Sequence, residues 1–179
     1  MNSSANEGWV GNITADEVRE VWDGQIRPVP ADLVSPDVSP STRQFLTEVG
    51  LPTTEVLGIN FALDSPLSST VRQEGREYLV VTDDESNVTF AINVESEQVF
   101  RFHPSRFKYT RFFNSNIATL VFFLGLLKKN VLSLDEVNEE TLGDAVDSVR
   151  ISLSARDPAA MEGETKWKAW LDDLETQYE

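Results

Sequence analysis

Cysteine is absent from this chain of 179 residues, and histidine occurs once, as His103. Without cysteine the protein has neither disulfide bonds nor thiolate chemistry. With a single imidazole, a zinc site would have to consist mostly of carboxylates, which is unusual. A Ser/His/Asp hydrolase would depend on His103 alone, and the sequence has no Gly-x-Ser-x-Gly motif to present a nucleophile. We therefore predict a protein that is not an enzyme and that holds no cofactor and no metal ion.

Long apolar runs are also scarce. The main one, Ile117–Leu127, stops at Lys128, whereas a membrane-spanning helix needs about 20 apolar residues. Residues 1–12 lack the basic start and the apolar stretch of a signal peptide. We expect a cytoplasmic protein without a membrane segment, in which residues 1–12 form a flexible N-terminus.

Basic residues are too few to balance the acidic ones. The chain has 30 acidic and 15 basic residues, a net charge of −15, and residues 101–129 hold six bases and no acid. An acidic field disfavours nucleic acid as a partner, because phosphates require basic groups. The same field would attract a basic protein partner and speed the encounter, or it would serve only to keep the protein in solution.

Two helix starts are marked by capping residues. Thr14 and Glu17 have the spacing of a capping box, which predicts a short helix after Thr14. Ser41 is predicted to cap a second helix over Thr42–Val49. That helix is expected to end at Gly50, because a glycine followed closely by a proline is a common stop signal.

Alternation of apolar residues predicts an antiparallel sheet. Residues 55–61 suggest a first strand, and residues 64–76 read as a polar loop. In the segment VTFAINV, every second residue is apolar, which is typical of a strand with one buried face. The strands predicted after the loop form a meander and cover residues 77–82, 88–94 and 99–102.

The apolar run Ile117–Leu127 predicts a helix that is buried on most sides and lies across one face of the sheet. Asn114, Ser115 and Asn116 precede it, and their side-chain oxygens can accept hydrogen bonds from the free amides of a first helical turn. The sequence leaves open which of the three is the cap.

Further helices are predicted at the C-terminal end of the chain. One or two cover residues 134–153, Asp157 and the proline after it mark a break, and a last helix covers residues 163–178. The last helix has one apolar stripe, formed by Trp167, Trp170, Leu171, Leu174 and Tyr178. The stripe is predicted to pack on its own domain, or alternatively on a partner or a second copy of the chain.

Two polar segments each have two interpretations. The acidic run Asp83-Asp84-Glu85 could bind calcium, but it lacks the alternation and the central glycine of an EF-hand loop, and we interpret it as a solvated hairpin turn. Residues 101–113 interleave bases and aromatics, as single-stranded nucleic acid would require. In these acidic surroundings we interpret them as a strand whose bases face outward or pair with acidic segments of the chain.

Three segments together indicate a family. FLTEVGLP (residues 45–52), VTFAINVESEQVFRF (88–102) and FFNSNIATLVFFLGLL (112–127) resemble, in this order, elements of the SUKH superfamily, and specifically of its fourth subfamily of bacterial immunity proteins. The chain departs from the pattern at three positions. Glu97 stands where glycine is usual, Asn93 at an Asp-like position, and Leu120 where phenylalanine is frequent.

The resemblance implies an α+β fold, a mostly antiparallel twisted sheet with helices packed around it, over residues 13–179 as a single domain. It also implies a non-enzymatic role, because members of the family bind polymorphic toxins and neutralise them in the producing cell. The implied partner is a cognate toxin, often a nuclease or a nucleic-acid deaminase and therefore basic at its substrate groove. We expect the chain to be a monomer or a weak homodimer.

The predicted mechanism is occlusion of the toxin groove by carboxylates that take the place of phosphates. The residues predicted to contribute are those at two hairpin tips, namely Asp83, Asp84, Glu85, Glu95 and Glu97. An alternative is a regulatory or scaffold module of the same superfamily. A third hypothesis is an enzyme that uses only carboxylates, which would require a buried pair of them in a deep pocket.

Overall fold

The computed structural model describes residues 13–64, 67, 70–84, 86, 88–103, 106–133, 139–163 and 165–176. Residues 1–12 and Glu85, and the side chains of residues 103–109, lie outside this description. The strands are β1 (Ile26–Arg27), β2 (Leu51–Pro52), β3 (Thr70–Gln73), β4 (Arg76–Val80), β5 (Thr89–Asn93), β6 (Val99–His103) and β7 (Arg106–Asn114). The α-helices are α1 (Ala15–Val21), α2 (Pro40–Gln44), α3 (Ile117–Leu127), α4 (Glu139–Arg156) and α5 (Lys166–Thr176).

The main sheet is an antiparallel meander in which β3, β4, β5, β6 and β7 pair in chain order. The register places Leu79 of β4 opposite Ile92 of β5, and Phe90 of β5 opposite Arg101 of β6. The segment of bases and aromatics at residues 101–113 is divided between the end of β6 and β7, so it belongs to the sheet as interpreted but forms parts of two strands instead of one. The expected α+β class is confirmed as well, because helices pack on this antiparallel sheet.

The N-terminal part follows its capping residues. Thr14 caps α1 in a complete capping box with Glu17, as predicted. The second helix begins earlier than expected: Ser39, rather than Ser41, accepts the amide of Thr42, and Pro40 occupies the first helical position. Proline is favoured there because its missing N–H would have no intrahelical partner and its φ angle is already helical. The helix then continues as a π-helical turn, Phe45–Val49.

Two predictions for residues 55–76 were wrong. The expected strand over 55–61 is a tight turn, because Leu57 and Gly58 both have positive φ angles (52° and 73°) and Val56 bridges Ile59 across them. The expected loop over 64–76 contains strand β3, whose polar side chains are only half-buried or exposed because it is the edge strand of the sheet. An edge strand pairs on one side only, so it needs little apolar patterning.

Helix α3 is the centre of the hydrophobic core, as predicted. Ten of its eleven residues are buried, and it contacts α1, α4 and β7. Core residues of the sheet, including Leu79, Phe90 and Phe113, belong to the same apolar cluster as α3. Burial on all sides explains why the helix needs no polar face.

The C-terminal helices pack against the same core, since α4 contacts α3 and α5 contacts α4. A 3-10 turn, Pro158–Met161, separates α4 from α5 at the predicted break. Trp167 and Leu171 of α5 are fully buried and belong to the cluster that contains α3. The apolar stripe therefore packs within the chain, and Tyr178, its last predicted member, lies outside the described residues.

Candidate partner-binding surface

The five predicted contact residues do not form one patch. In a meander, successive hairpins alternate between the two ends of the sheet. Asp83 and Asp84 follow β4 and precede β5, whereas Glu95 and Glu97 follow β5. Strand β5 separates the two groups by its length, about 14 Å at 3.4 Å per residue. The structure thus brings together Glu95 and Glu97, brings together Asp83 and Asp84, and places the two pairs at opposite ends.

The turn between β5 and β6 is held by Asn93, whose Oδ1 accepts hydrogen bonds from the amides of Glu95 and Ser96 at 3.2 and 2.8 Å. Such a bond needs only a side-chain oxygen two or three residues upstream, so asparagine serves at this Asp-like position. Glu97 has a φ angle of 63°, the left-handed region that favours glycine. The carboxylate of Glu97 accepts from the hydroxyl of Ser41, whose Oγ lies 2.9 and 3.1 Å from the two Oε atoms.

Two further acids lie at the same end of the sheet. Glu74 belongs to the turn between β3 and β4, and Glu77 lies on β4 with its carbonyl accepting the amide of Val94 at 2.9 Å. We call Glu74, Glu77, Glu95 and Glu97 the acidic edge. Sequence reasoning missed Glu74 and Glu77 because β3 was not recognised, so the turn before β4 was not seen as a hairpin tip.

At the opposite end of the sheet, the turn between β4 and β5 is hydrogen-bonded to the segment that contains Asn60. The amide of Asp83 donates to the carbonyl of Asn60 at 3.0 Å, and Ser86 Oγ donates to the carbonyl of Val88 at 2.7 Å. Asp84 is exposed and Asp83 is half-buried. Glu85, the third predicted acid of this turn, lies outside the described residues.

The polar residues before α3 have three separate tasks. Asn116 is the cap, because its Oδ1 accepts the amide of Thr119 at 2.9 Å. Ser115 donates both its amide and its hydroxyl to the carboxylate of Asp157, at 2.9 and 2.6 Å. Asn114 donates to the same carboxylate at 2.9 Å and accepts the indole N–H of Trp167 at 3.0 Å. The motif therefore ties α3 to the end of α4 and to α5, and its role is structural.

Several cations are paired with acids of the chain. Lys129 lies 3.9 Å from Glu20, although this lysine is outside the segment 101–113 for which pairing with acidic segments was considered. Arg156 donates to Glu17 at 2.8 Å, and this hydrogen bond holds the pKa of that carboxyl below its ordinary value although partial burial opposes the shift. Burial, and secondarily the positive charge of Arg111, lower the pKa of Arg101.

The described residues offer little for catalysis. Among them there is no group of three or more His, Cys, Asp or Glu side chains that could hold a metal ion. His103 is the last residue of β6, and its side chain is outside the description. Asp157, the buried acid, has its oxygens occupied by three donors from Asn114 and Ser115. Within the described ranges, no helix is long and apolar enough to cross a membrane.

The fold is an antiparallel sheet with helices packed on it and with carboxylates at its hairpin turns. The sequence matches the SUKH-4 immunity protein family over residues 13–175, nearly its whole length, and the chain belongs to that family. The suspected resemblance is thereby confirmed, and the family supports an immunity function with a cognate toxin as partner. No curated protein and no solved structure matches the sequence significantly.

Proposed function

We propose that this chain is a non-enzymatic immunity protein that binds one cognate toxin in the bacterial cytoplasm and blocks its active cleft with acidic side chains. The observation that supports this most is membership of the SUKH-4 immunity protein family over residues 13–175. The net charge of −15 favours a partner with a basic groove, such as a nuclease or a nucleic-acid deaminase. The protein would act as a monomer or a weak homodimer.

The acidic edge is the surface we favour for this contact. Glu74 and Glu95 are exposed, and neither has an ion pair with any residue that the structure describes. Among the residues that the structure describes, Glu97 accepts only the neutral hydroxyl of Ser41, and none of them neutralises its negative charge. Three uncompensated carboxylates on adjacent turns can replace phosphates in a basic groove, because both are anionic acceptors of charge-assisted hydrogen bonds.

The turn at Asp83 and Asp84 is the second predicted contact. Its acids lie at the other end of β4 and β5, so a toxin that covers only one end of the sheet would contact one pair and not the other. We propose that Glu85 acts together with this pair, on the basis of its position in the sequence. Separate substitution of the two ends distinguishes between them.

The test uses the toxin encoded beside this gene and three charge-reversal variants of equal charge change. They are Glu95→Lys/Glu97→Lys, Asp83→Lys/Asp84→Lys and, as a control on exposed helix positions, Asp144→Lys/Asp173→Lys. Circular dichroism first verifies that each variant is folded. Calorimetry then measures the toxin Kd, and survival of cells that express the toxin measures protection.

We expect the Glu95→Lys/Glu97→Lys variant to bind at least about 100-fold more weakly, because reversal of a charge at a close ion pair costs several kcal/mol. The control should lose less than about tenfold, through long-range field effects alone. Equal binding by all variants would reject the acidic-surface mechanism. If the neighbouring gene product does not bind the wild-type chain at all, the regulatory or scaffold module becomes the better explanation.

A further inference from the structure

A groove lies between β7 and the start of α5, and Gln98, the residue after Glu97 of the acidic edge, borders it. It consists of two adjoining cavities of about 600 and 300 Å³. Arg111, Thr165 and Lys166 line both cavities, Phe112 lies in the larger one and Lys168 in the smaller one. Cavities of this size accommodate small organic ligands.

The groove concentrates positive charge in an otherwise acidic protein. Arg111, Lys166 and Lys168 have no ion pair with any described residue, whereas many other cations of the chain, such as Arg27 and Arg150, lie within 4 Å of a carboxylate. Asp172, an acid at the groove, is already bound to Arg150 at 3.0 Å. Glu162 also lines the larger cavity without an ion pair to any described residue, so three cations face one unpaired acid and the local charge remains positive.

The strands beneath the groove bring two arginines together. Arg101 of β6 is directly opposite Arg111 of β7, and its guanidinium lies 5.9 Å from the centre of the Trp170 ring. Like charges directly opposite each other destabilise a sheet. The lowered pKa of Arg101, caused by burial and by Arg111, agrees with this repulsion. An anion bound beside Arg111 would relieve it.

The first turn of α5 adds neutral donors. The carbonyl of Thr165 accepts the amide of Ala169 at 3.2 Å, so the helix begins at Thr165 and the amides that follow it have no intrahelical acceptor. The hydroxyl oxygen of Thr165 is buried and has no hydrogen-bond partner within the described ranges. A guanidinium, an ammonium group, a hydroxyl and free helix amides are together a set that suits a tetrahedral oxyanion.

We propose that this groove binds a small molecule with a phosphate group, held by Arg111, Lys166 and the first turn of α5. Glu162 is exposed and lines the larger cavity, where its carboxylate could accept a hydrogen bond from a hydroxyl group of an organic phosphate. A sugar phosphate or mononucleotide should therefore bind more tightly than free phosphate. The site does not depend on toxin binding, since it rests on β7, the 3-10 turn and α5.

The experiment titrates the full chain at constant ionic strength with inorganic phosphate, ribose 5-phosphate, adenosine monophosphate and, as an anion control, acetate. Heteronuclear NMR follows the backbone amides of residues 165–169, and calorimetry gives the Kd. Arg111→Gln removes the central cation. Arg76→Gln is the control with the same change in charge, because Arg76 is exposed and is the first residue of β4, which β5 and β6 separate from β7.

We expect saturable shifts of these amides with the phosphate compounds and none with acetate. Arg111→Gln should weaken binding about tenfold or more. Arg111→Lys should weaken it less, because the charge remains although the bidentate geometry is lost. Arg76→Gln should bind like wild type. Glu162→Gln should reduce only the preference for the organic phosphates. Absence of saturable binding would overturn the proposal, as would equal weakening by Arg111→Gln and Arg76→Gln or binding of acetate as tight as that of the phosphate compounds.

Discussion

The indole nitrogen of Trp22 donates a 2.9 Å hydrogen bond to the carbonyl oxygen of Val121, which is 99 positions further along the chain. Trp22 follows α1, and Val121 lies in the middle of α3, so this bond fixes how the first helix crosses the central one. The crossing is close because Gly125 lies one turn after Val121. A Cβ atom at Gly125 would lie 2.6 Å from both Trp22 Nε1 and Val21 Cγ2.

Gly125→Ala is therefore expected to destabilise the protein, although alanine is the better helix former. The added methyl would force the buried Trp22 and α1 to move, and overpacking of this kind costs about 1–3 kcal/mol, which exceeds the gain of about 1 kcal/mol from helix propensity. Urea unfolding followed by tryptophan fluorescence measures the change in the free energy of unfolding.

Gly143→Ala is the matched control. Gly143 lies in α4, and a Cβ atom there would have open space around it. Only the propensity term applies, so this variant should be more stable than wild type by about 0.5–1 kcal/mol. If both substitutions change stability in the same direction, the close crossing of α1 and α3 is not the reason that a glycine is needed at position 125.

Asp157 is expected to be one of the more sensitive positions for stability. Its side chain is 1% exposed, and its oxygens accept from Asn114 and from two donors of Ser115. Asp157→Asn would replace charge-assisted hydrogen bonds to a buried carboxylate with weaker neutral ones, and the Ser115 hydroxyl would have to turn and accept from the new NH₂ group, at a cost of about 1–2 kcal/mol. Asp144→Asn, at an exposed position of α4, should change the unfolding free energy by less than about 0.5 kcal/mol. Similar small effects for both would show that the Asp157 network contributes little to stability.

The sequence predicted most of the architecture because local signals and packing agree over much of the chain. Thr14 and Glu17 form the predicted capping box, β5 and β6 follow their alternation, and the apolar run of α3 is buried as its composition requires. Sequence reasoning failed at β3, where an edge strand has polar residues, and at Leu57, where a non-glycine residue takes a positive φ angle. Neither feature has a strong local signal.

The candidate surface was harder to predict than the fold. Exposure of hairpin acids is a local property, whereas their grouping depends on which end of the sheet each turn occupies. Once the meander is known, Asp84 and Glu95 must lie at opposite ends, because one strand separates their turns. The partner of Asp157 could not be predicted at all, since the hydrogen bonds to Ser115 join positions 42 residues apart.

Glu97→Gly is expected to stabilise the protein by about 0.5–1 kcal/mol. The left-handed conformation at a φ angle of 63° costs a non-glycine residue about 1–2 kcal/mol, and glycine adopts it without strain. The gain is reduced by the loss of the exposed bond to Ser41 and by the greater freedom of glycine in the unfolded chain. Thermal unfolding measures the shift in Tm. Ser96→Gly, in the same turn but without a positive φ angle, should lower Tm, and a decrease for both would contradict the strain argument.

Glu17 and Arg156 are expected to make stability depend on pH below about pH 4.3, the ordinary pKa of glutamate. The hydrogen bond from Arg156 lowers the pKa of Glu17 in the folded state, so the folded protein binds this proton less readily than the unfolded chain does. The resulting stabilisation is complete above the unfolded pKa and is lost as the pH falls through the folded pKa. Glu17→Gln should therefore flatten the decline of the urea midpoint as the pH falls below about 4.3. Arg156→Gln should flatten it only in part, because the hydrogen bonds from Thr14 also lower this pKa, and the double variant should behave like Glu17→Gln. An acid-induced decline as steep in Glu17→Gln as in wild type would rule out this pair as a source of the pH dependence.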